Sequence, residues 1–256
     1  ILNTKTEADF VLICVWLAYC IMCPELPKPL ICFHGSKGAG KSNFQRFLRR
    51  LVDPAAAELT RLYPSESENA LQAEKNYLLS YDNLSKLTAD QSDFLCTVST
   101  GGAFSKRKLY ADSEEVILKF CRPLTMSGIN QVAEKSDLLD RAIMIELDLI
   151  PKAKRKTESE LWELFDKERP KILGAIFDSI VYALGADTQE LDELERMADF
   201  NTVGYKIAIG MGFNGEEFIA ALRRNSAITV DTAIKSDVVA QCLLKYLEGN
   251  PRFEGT

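Results

Sequence analysis

The chain has 256 residues, of which 46% are hydrophobic and 27% are charged, and its formal net charge is -6. This composition excludes a disordered chain, and the acidic balance argues against a surface coated for nucleic acid, so any nucleic-acid contact must be local. The length allows one large α/β core with a smaller helical appendage, in one or two domains.

The cysteines and one apolar run indicate a cytoplasmic protein without membrane contact. Seven cysteines, an odd number, are scattered through apolar segments, which is typical of buried and reduced thiols. Cys20 and Cys23 form a lone CxxC pair in a chain with one histidine, which is a poor ligand set for zinc. Residues 10–23 are nearly all apolar but fall short of the roughly 20 residues that span a bilayer, so we expect a buried core helix.

Predicted strands and helices alternate through the first part of the chain. A helix over residues 4–23 stops at Pro24, and a short strand over residues 30–33 leads through a glycine loop into a helix over residues 42–52. The segments that follow are a strand at 77–81, a helix at 84–98, a hairpin at 103–120 and strands at 123–127 and 143–149. Strands separated by helices predict a mainly parallel sheet with helices on both faces.

The composition changes after Pro151. A basic run leads into predicted helices over residues 158–184, 191–211, 215–225 and 232–247, and no strand is needed there. We therefore assign residues 1–151 to an α/β core and residues 152–256 to a helical lid domain, and we expect the chain to lead into a further domain.

Residues 35–42 read GSKGAGKS and match the pattern GxxxxGK[ST] of a phosphate-binding loop. In such a loop the glycines let backbone N–H groups point at the phosphates, Lys41 reaches the β and γ oxygens, and Ser42 offers its hydroxyl to Mg²⁺. The predicted strand before the loop and helix after it are the required context. We predict that ATP and Mg²⁺ bind here, through Gly35, Ser36, Lys37, Gly38, Ala39, Gly40, Lys41, Ser42 and Asn43.

Asp82 ends the next predicted strand and is the candidate second ligand of Mg²⁺, although an aspartate at a strand end is also a common turn residue. The following position is commonly Glu in ATPases of this class, where it orients the attacking water, but here it is Asn83. An amide positions water and cannot take its proton. Either positioning of the water by Asn83 is enough for hydrolysis, or another carboxylate assists, or turnover is slow.

Two side chains near the following strands are further catalytic candidates. Asn130 follows the strand that we expect beside the strand of Asp82, where an amide can reach the γ-phosphate or the attacking water. Arg141 precedes the last predicted strand and would project towards a neighbouring subunit as an arginine finger, or else pair with Asp137 or Asp140.

Two other residues have open interpretations. Arg196, at the start of a helix in the C-terminal part, would contact phosphate from the lid or lie solvated on a helix face. His34 precedes the loop and has no serine or cysteine partner in a recognisable arrangement, so we interpret it as structural.

The order of the motifs resembles that of the AAA+ ATPases of phage and plasmid replication, and is closest to superfamily three helicases and the helicase halves of prophage primase-helicase proteins. The motifs are the phosphate loop, the pair Asp82-Asn83, TGG at 100–102 with a basic hairpin, SGIN at 127–130 and LLDR at 138–141. The match covers about residues 8–150, and RMADF at 196–200 is similar to the lid of the prophage members.

This resemblance implies an ATP hydrolase that works as a homo-oligomeric ring, usually a hexamer, with ATP between subunits. It also implies a hairpin that grips single-stranded DNA in a central pore. Here the hairpin would present Lys106, Arg107, Lys108 and Tyr110, and three cations beside an aromatic ring suit phosphate contact and base stacking.

Three functions stay open at this point. One is an ATP-driven DNA helicase or translocase motor. Another is an ATP-binding switch or assembly scaffold with slow hydrolysis, which Asn83 favours and the basic hairpin disfavours. The last is a small-molecule kinase, which needs neither an arginine before its last strand nor a helical bundle after it.

Overall fold

Helices and strands alternate along the first part of the chain. A computed structural model describes residues 3–107, 115–128, 136–187, 191 and 193–236, together with the single residues 242 and 246. The strands are β1 Leu30–His34, β2 Leu79–Leu84, β3 Gly102–Arg107, β4 Glu115–Phe120, β5 Leu124–Gly128 and β6 Ala142–Glu146. The α-helices are α1 Glu7–Met22, α2 Lys41–Val52, α3 Glu66–Lys75, α4 Ala89–Thr100, α5 Ser136–Leu139, α6 Glu158–Gly185, α7 Ala198–Gly210 and α8 Gly215–Ser236.

The central sheet is parallel and has the strand order β2-β5-β1-β6. Strand β1 pairs with β5 on one side and with β6 on the other, and β5 also pairs with β2. Because parallel strands end at the same edge, the segments that follow β1, β2 and β5 leave the sheet side by side. The predicted parallel sheet is confirmed, and so is the expectation that the strand before Asn130 lies beside the strand of Asp82.

Apolar side chains cover both faces of this sheet. Along β1, Ile31 and Phe33 belong to a hydrophobic cluster with α1, whereas Leu30 and Cys32 belong to a second cluster with α4. The alternation follows from the two-residue period of a strand, and burial on both faces is what a parallel sheet requires. The predicted α/β class is therefore confirmed.

The apolar run at residues 10–23 forms α1, a core helix. Trp16 and Tyr19 are fully buried, and the Tyr19 ring lies edge-on to Phe200 of α7 at 5.0 Å. Helices α6, α7 and α8 share this cluster with α1 and the sheet. The division at residue 151 stays a prediction. Both segments contribute side chains to the cluster that contains α1. No helix within the described residues combines the length and the apolar content needed to cross a membrane.

Several predicted boundaries are wrong. The helices predicted at 215–225 and 232–247 are replaced by one helix, α8, which continues to Ser236 because no glycine or proline lies between the two segments. The last strand ends at Glu146 and not at residue 149, since Leu147 forms only an isolated bridge with Thr4. Helix α3, which Ser65 caps, has no counterpart among the predicted elements.

Helix α8 closes the free edge of the sheet at β6. The Asn225 side chain accepts a hydrogen bond from Met144 N–H at 2.8 Å and donates one to Met144 C=O at 2.7 Å. An edge strand otherwise exposes unpaired backbone groups, and Asn225 satisfies two of them in a buried position.

Replacing Asn225→Ala leaves the two Met144 backbone groups without this partner. We expect the free energy of unfolding to fall by about 2 kcal/mol or more, because buried polar groups lose their hydrogen bonds. Urea unfolding measures the change, with Arg224→Ala as control, since Arg224 is the exposed neighbour on the same helix. Equal unfolding midpoints for the two variants would contradict this role of Asn225.

Candidate functional site

The phosphate-binding loop joins β1 to α2, as predicted. Gly38 and Gly40 have φ angles of 89° and 84°, in the left-handed region that favours glycine. Gly40 is also the N-cap residue of α2, so the free N–H groups of that helix lie at the end of the loop. Such a helix start attracts anions, and the loop therefore has the geometry of a phosphate site.

The remaining residues of the loop have distinct environments. Ser36 and Lys37 are exposed at its tip, whereas Ala39 is fully buried. Asn43 lies half-buried in the first turn of α2. The side-chain amide of Asn3 donates to Ala39 C=O at 2.9 Å, so the N-terminal segment holds the loop from outside.

Lys41 begins α2 and folds back over the loop. Its ammonium group donates hydrogen bonds to Gly35 C=O at 2.7 Å and to Ser36 C=O at 3.2 Å. The Lys41 charge therefore lies beside the loop backbone, where a phosphate oxygen would also be within reach.

Asp82 is the centre of the polar site. The Ser42 hydroxyl donates to Asp82 Oδ2 at 2.7 Å, and the Ser127 hydroxyl of β5 donates to the other oxygen, Oδ1. The loop helix and strands β2 and β5 thus meet at one carboxylate. Because Mg²⁺ prefers hard oxygen ligands, the adjacent Ser42 and Asp82 oxygens fit this ion. The sequence did not assign Ser127 a role, although its position at the end of a buried strand beside Asp82 is a usable signal.

The buried side-chain amide of Gln45, below the loop, connects α2 to the sheet through hydrogen bonds. The Gln45 side chain donates to Tyr81 C=O at 3.0 Å and to the Thr125 hydroxyl at 3.2 Å, and it is fully buried. These bonds fix the first turn of α2 against β2 and β5, and hence the position of Ser42 relative to Asp82. Sequence reasoning missed Gln45 because a polar residue on a helix is normally expected to face solvent.

Asn83 has a left-handed backbone, with φ of 56°, and its side chain is exposed. The pairing of β2 with β5 shifts register between Tyr81 and Leu84, so Asp82 and Asn83 lie in an irregular, bulged part of the strand. Asparagine tolerates this conformation better than glutamate does. The departure from the usual glutamate therefore coincides with a backbone that favours asparagine.

The predicted hairpin is confirmed as the antiparallel pair β3–β4. Phe104 and Phe120 stack across its base with ring centroids 5.1 Å apart. Lys106 and Arg107 lie in the last two positions of β3, at the end away from this base. Lys108, Tyr110 and Asn130 lie outside the described residues.

Arg141 and Arg196 meet at the acidic residues of α5 and the turn after it. The Arg141 guanidinium donates to Asp137 C=O at 2.8 Å and pairs with the Asp137 carboxylate, which lowers the pKa of Asp137. Arg196 pairs with Asp140 at 2.7 Å and with Asp137 at 3.2 Å. The structure thus shows Arg141 in the ion pair with Asp137, one of the two arrangements that the sequence left open. It also brings Arg196 to α5. The phosphate contact of Arg196 stays a prediction.

His34 lies half-buried beside Asp9 and Glu146, in a cavity of about 400 Å³. Burial lowers the pKa of His34 and raises the pKa of Asp9. The environment is compatible with the structural interpretation given from the sequence, which stays a prediction.

A family model described as the actinomycete integrative conjugative element replication protein matches residues 1–225. The chain belongs to this family. The family is one of replication proteins, in agreement with the replication-type resemblance that the motifs indicated. No curated protein sequence matches the chain.

Several solved structures are similar to the chain at low identity. The C-terminal region of NrS-1 is 14% identical with a TM-score of 0.47, over 69% of this chain and 46% of that chain. SCCmec type IV Cch, described as an active helicase, is 9% identical with a TM-score of 0.47, over 96% and 52%. JCV helicase is 15% identical with a TM-score of 0.40, over 82% and 68%. The chain thus spans about half the length of the first two.

Leu147 lies so close to the phosphate loop that a side chain at Gly35 would clash with it. A Cβ at Gly35 would lie 2.5 Å from Leu147 C=O, whereas a Cβ at Gly212 meets nothing within 4 Å, and both glycines have positive φ. We expect Gly35→Ala to lower the free energy of unfolding by about 1–3 kcal/mol more than Gly212→Ala, because only Gly35→Ala adds a backbone clash to the left-handed strain. Thermal unfolding of both variants measures the difference, and equal destabilisation would contradict the packing of Leu147 against the loop.

Proposed function

We propose that this chain is the ATP-hydrolysing motor of its replication protein, a DNA helicase or translocase that acts as a ring oligomer, with a hexamer expected. The observation that carries the proposal is the 2.7 Å contact between Ser42 of the phosphate loop and Asp82 of β2. A phosphate loop alone binds phosphate, but this pair also supplies the oxygen ligands of a metal–nucleotide complex.

ATP and Mg²⁺ would be held by residues of the loop and of β2. The loop amides and Lys41 bind the phosphates, and the Ser42 hydroxyl and Asp82 carboxylate hold the ion. Mg²⁺ neutralises charge on the β- and γ-phosphates when bound. Ser127 and Gln45 keep Asp82 and Ser42 in register, so the ligand atoms need little rearrangement.

Hydrolysis requires a positioned water and positive charge near the γ-phosphate. In this proposal Asn83 and Asn130 position the water, and Arg141 of a neighbouring subunit supplies charge. Arg141 pairs with Asp137 in its own chain, so the finger role requires its guanidinium to leave this pair for the phosphate of the neighbour.

Single-stranded DNA is the proposed partner, bound by the far end of the β3–β4 hairpin. Lys106 and Arg107 lie at that end of β3, next in the chain to Lys108 and Tyr110. Local positive charge with an aromatic ring binds a single strand without needing a basic protein overall. We place this activity in the cytoplasm.

One observation favours a second candidate function, an ATP-binding switch or assembly scaffold. Asn83 replaces the carboxylate that commonly orients and activates water, and its left-handed backbone disfavours glutamate there. In that case ATP would hold the oligomer together and turnover would be slow.

The motor proposal predicts ATP hydrolysis that single-stranded DNA stimulates. Changing Lys106→Ala with Arg107→Ala should weaken DNA binding at least tenfold and remove the stimulation, because two phosphate contacts are lost. Fluorescence anisotropy and phosphate release measure the two effects, with Lys167→Ala and Arg169→Ala on α6 as a charge-matched control. DNA affinity equal to that of the control would overturn the hairpin assignment, and ATP binding without hydrolysis would favour the switch.

The finger proposal predicts that Arg141→Ala lowers hydrolysis by about 10³-fold or more, while ATP affinity changes little, since the finger acts on the neighbour's transition state. Isothermal titration and steady-state hydrolysis separate the two quantities.

A mixing experiment sharpens this test. Combining the inactive Arg141→Ala and Lys41→Ala proteins should restore hydrolysis, because one subunit supplies the loop and the other supplies the arginine. If mixing restores nothing, or if Arg141→Ala loses ATP affinity together with hydrolysis, Arg141 acts within its own chain.

A further inference from the structure

The segment that follows β6 runs along the phosphate loop. Leu147 N–H donates to His34 C=O at 3.0 Å, which places the segment beside the start of the loop. Further along, a Cβ at Gly40 would lie 3.2 Å from Ile150 Cδ1, and a Cβ at Gly38 would lie 3.3 Å from Arg155 Nη2. The guanidinium of Arg155 therefore lies against the middle of the loop.

Backbone hydrogen bonds fix Arg155 in this place. A 3-10 turn over Lys152–Lys154 folds the chain back, and Arg155 N–H donates to Lys152 C=O at 3.3 Å. The Arg155 side chain donates from Nε to Ile150 C=O at 3.3 Å. Because this bond uses Nε, the two Nη groups at the end of the side chain stay available for other partners, and Nη2 lies towards Gly38.

The segment is also held at its far end. Glu158 in the first turn of α6 pairs with Arg46 of α2 at 2.8 Å, and the Trp162 ring lies edge-on to Phe47 at 5.1 Å. Helix α2 begins at the phosphate loop, so both ends of the segment that carries Arg155 are attached to the loop structure. The position of Arg155 is thus set before any ligand binds.

The charge of Arg155 matches an anion at the loop. Among the described residues, no carboxylate pairs with this guanidinium, and the side chain is exposed. A planar guanidinium binds phosphate oxygens through two parallel hydrogen bonds, which lysine cannot do.

We infer that Arg155 binds the phosphates of the nucleotide held by its own chain, as a second cation in addition to Lys41. The inference rests on the proposed function, since it needs a nucleotide at the loop. It assigns to Arg155 the contact within one chain that the sequence suggested for Arg196, which the structure pairs with Asp137 and Asp140.

Nucleotide binding by the full chain tests this role. We expect Arg155→Ala to raise the Kd for ATP about tenfold or more, the loss expected for a charge-assisted hydrogen bond. Arg155→Gln, which keeps most of the side-chain length, should show a similar loss. Lys154→Ala removes a charge one residue earlier in the same basic run, and its Kd should stay within about twofold of the unchanged protein. Isothermal titration with ATP and with inorganic triphosphate measures the effect.

The outcomes separate the inference from the proposed function. If the unchanged protein binds neither ATP nor triphosphate, the proposed function fails. If the unchanged protein binds ATP and both Arg155 variants bind ATP as tightly as it does, the proposed function stands and the role of Arg155 is overturned. An equal loss in Lys154→Ala, or a loss for ATP but not for inorganic triphosphate, would also overturn a specific phosphate contact.

Discussion

The shared carboxylate of Asp82 is the interaction on which the candidate site depends. Hydroxyl groups from Ser42 on α2 and from Ser127 on β5 both donate to it, so one side chain joins three elements that are far apart in the sequence. The parallel strand order makes this possible, because β1, β5 and β2 end at one edge of the sheet. Gln45, buried beneath, prevents α2 from sliding along the strands. The sheet therefore sets the distance between the phosphate loop and Asp82.

A second constraint connects the loop to the C-terminal helices. The chain leaves β6, passes the loop, and enters α6, whose first turns are attached to α2 through Glu158 and Trp162. Because α6, α7 and α8 also share a hydrophobic cluster with α1, the helices cannot shift without disturbing packing next to the loop. A displacement of the phosphate loop would therefore also displace α6, α7 and α8. Arg155 lies in the segment that connects the loop to these helices.

The sequence predicted the features that depend on local pattern, and missed those that depend on contacts between distant segments. The loop, the hairpin and the parallel sheet follow from glycine spacing, alternating residues and the order of elements. Arg155 is the one arginine in a run with Lys152, Lys154 and Lys156, but this difference does not predict its position near Gly38, which only folding creates. The two hydrogen bonds between Asn225 and Met144 span 81 residues and are equally invisible from the sequence. At α8 the error is of the opposite kind. The sequence pattern predicts a boundary between two helices at a point where no residue ends a helix.

The backbone at Asn83 links the fold to the expected rate of hydrolysis. Strand β2 is irregular just after Asp82, whose carboxylate accepts hydrogen bonds from both hydroxyl groups, and Asn83 lies there in the left-handed region. A glutamate there would cost about 1–2 kcal/mol in backbone strain, which asparagine reduces. Asn83 therefore suits this backbone, although its amide cannot abstract a proton. If Arg155 and Arg141 act as proposed, acceleration comes from positive charge near the phosphates, supplied by Arg155 of the same chain and by Arg141 of a neighbour. Assembly of subunits would then decide whether bound ATP is hydrolysed or simply held.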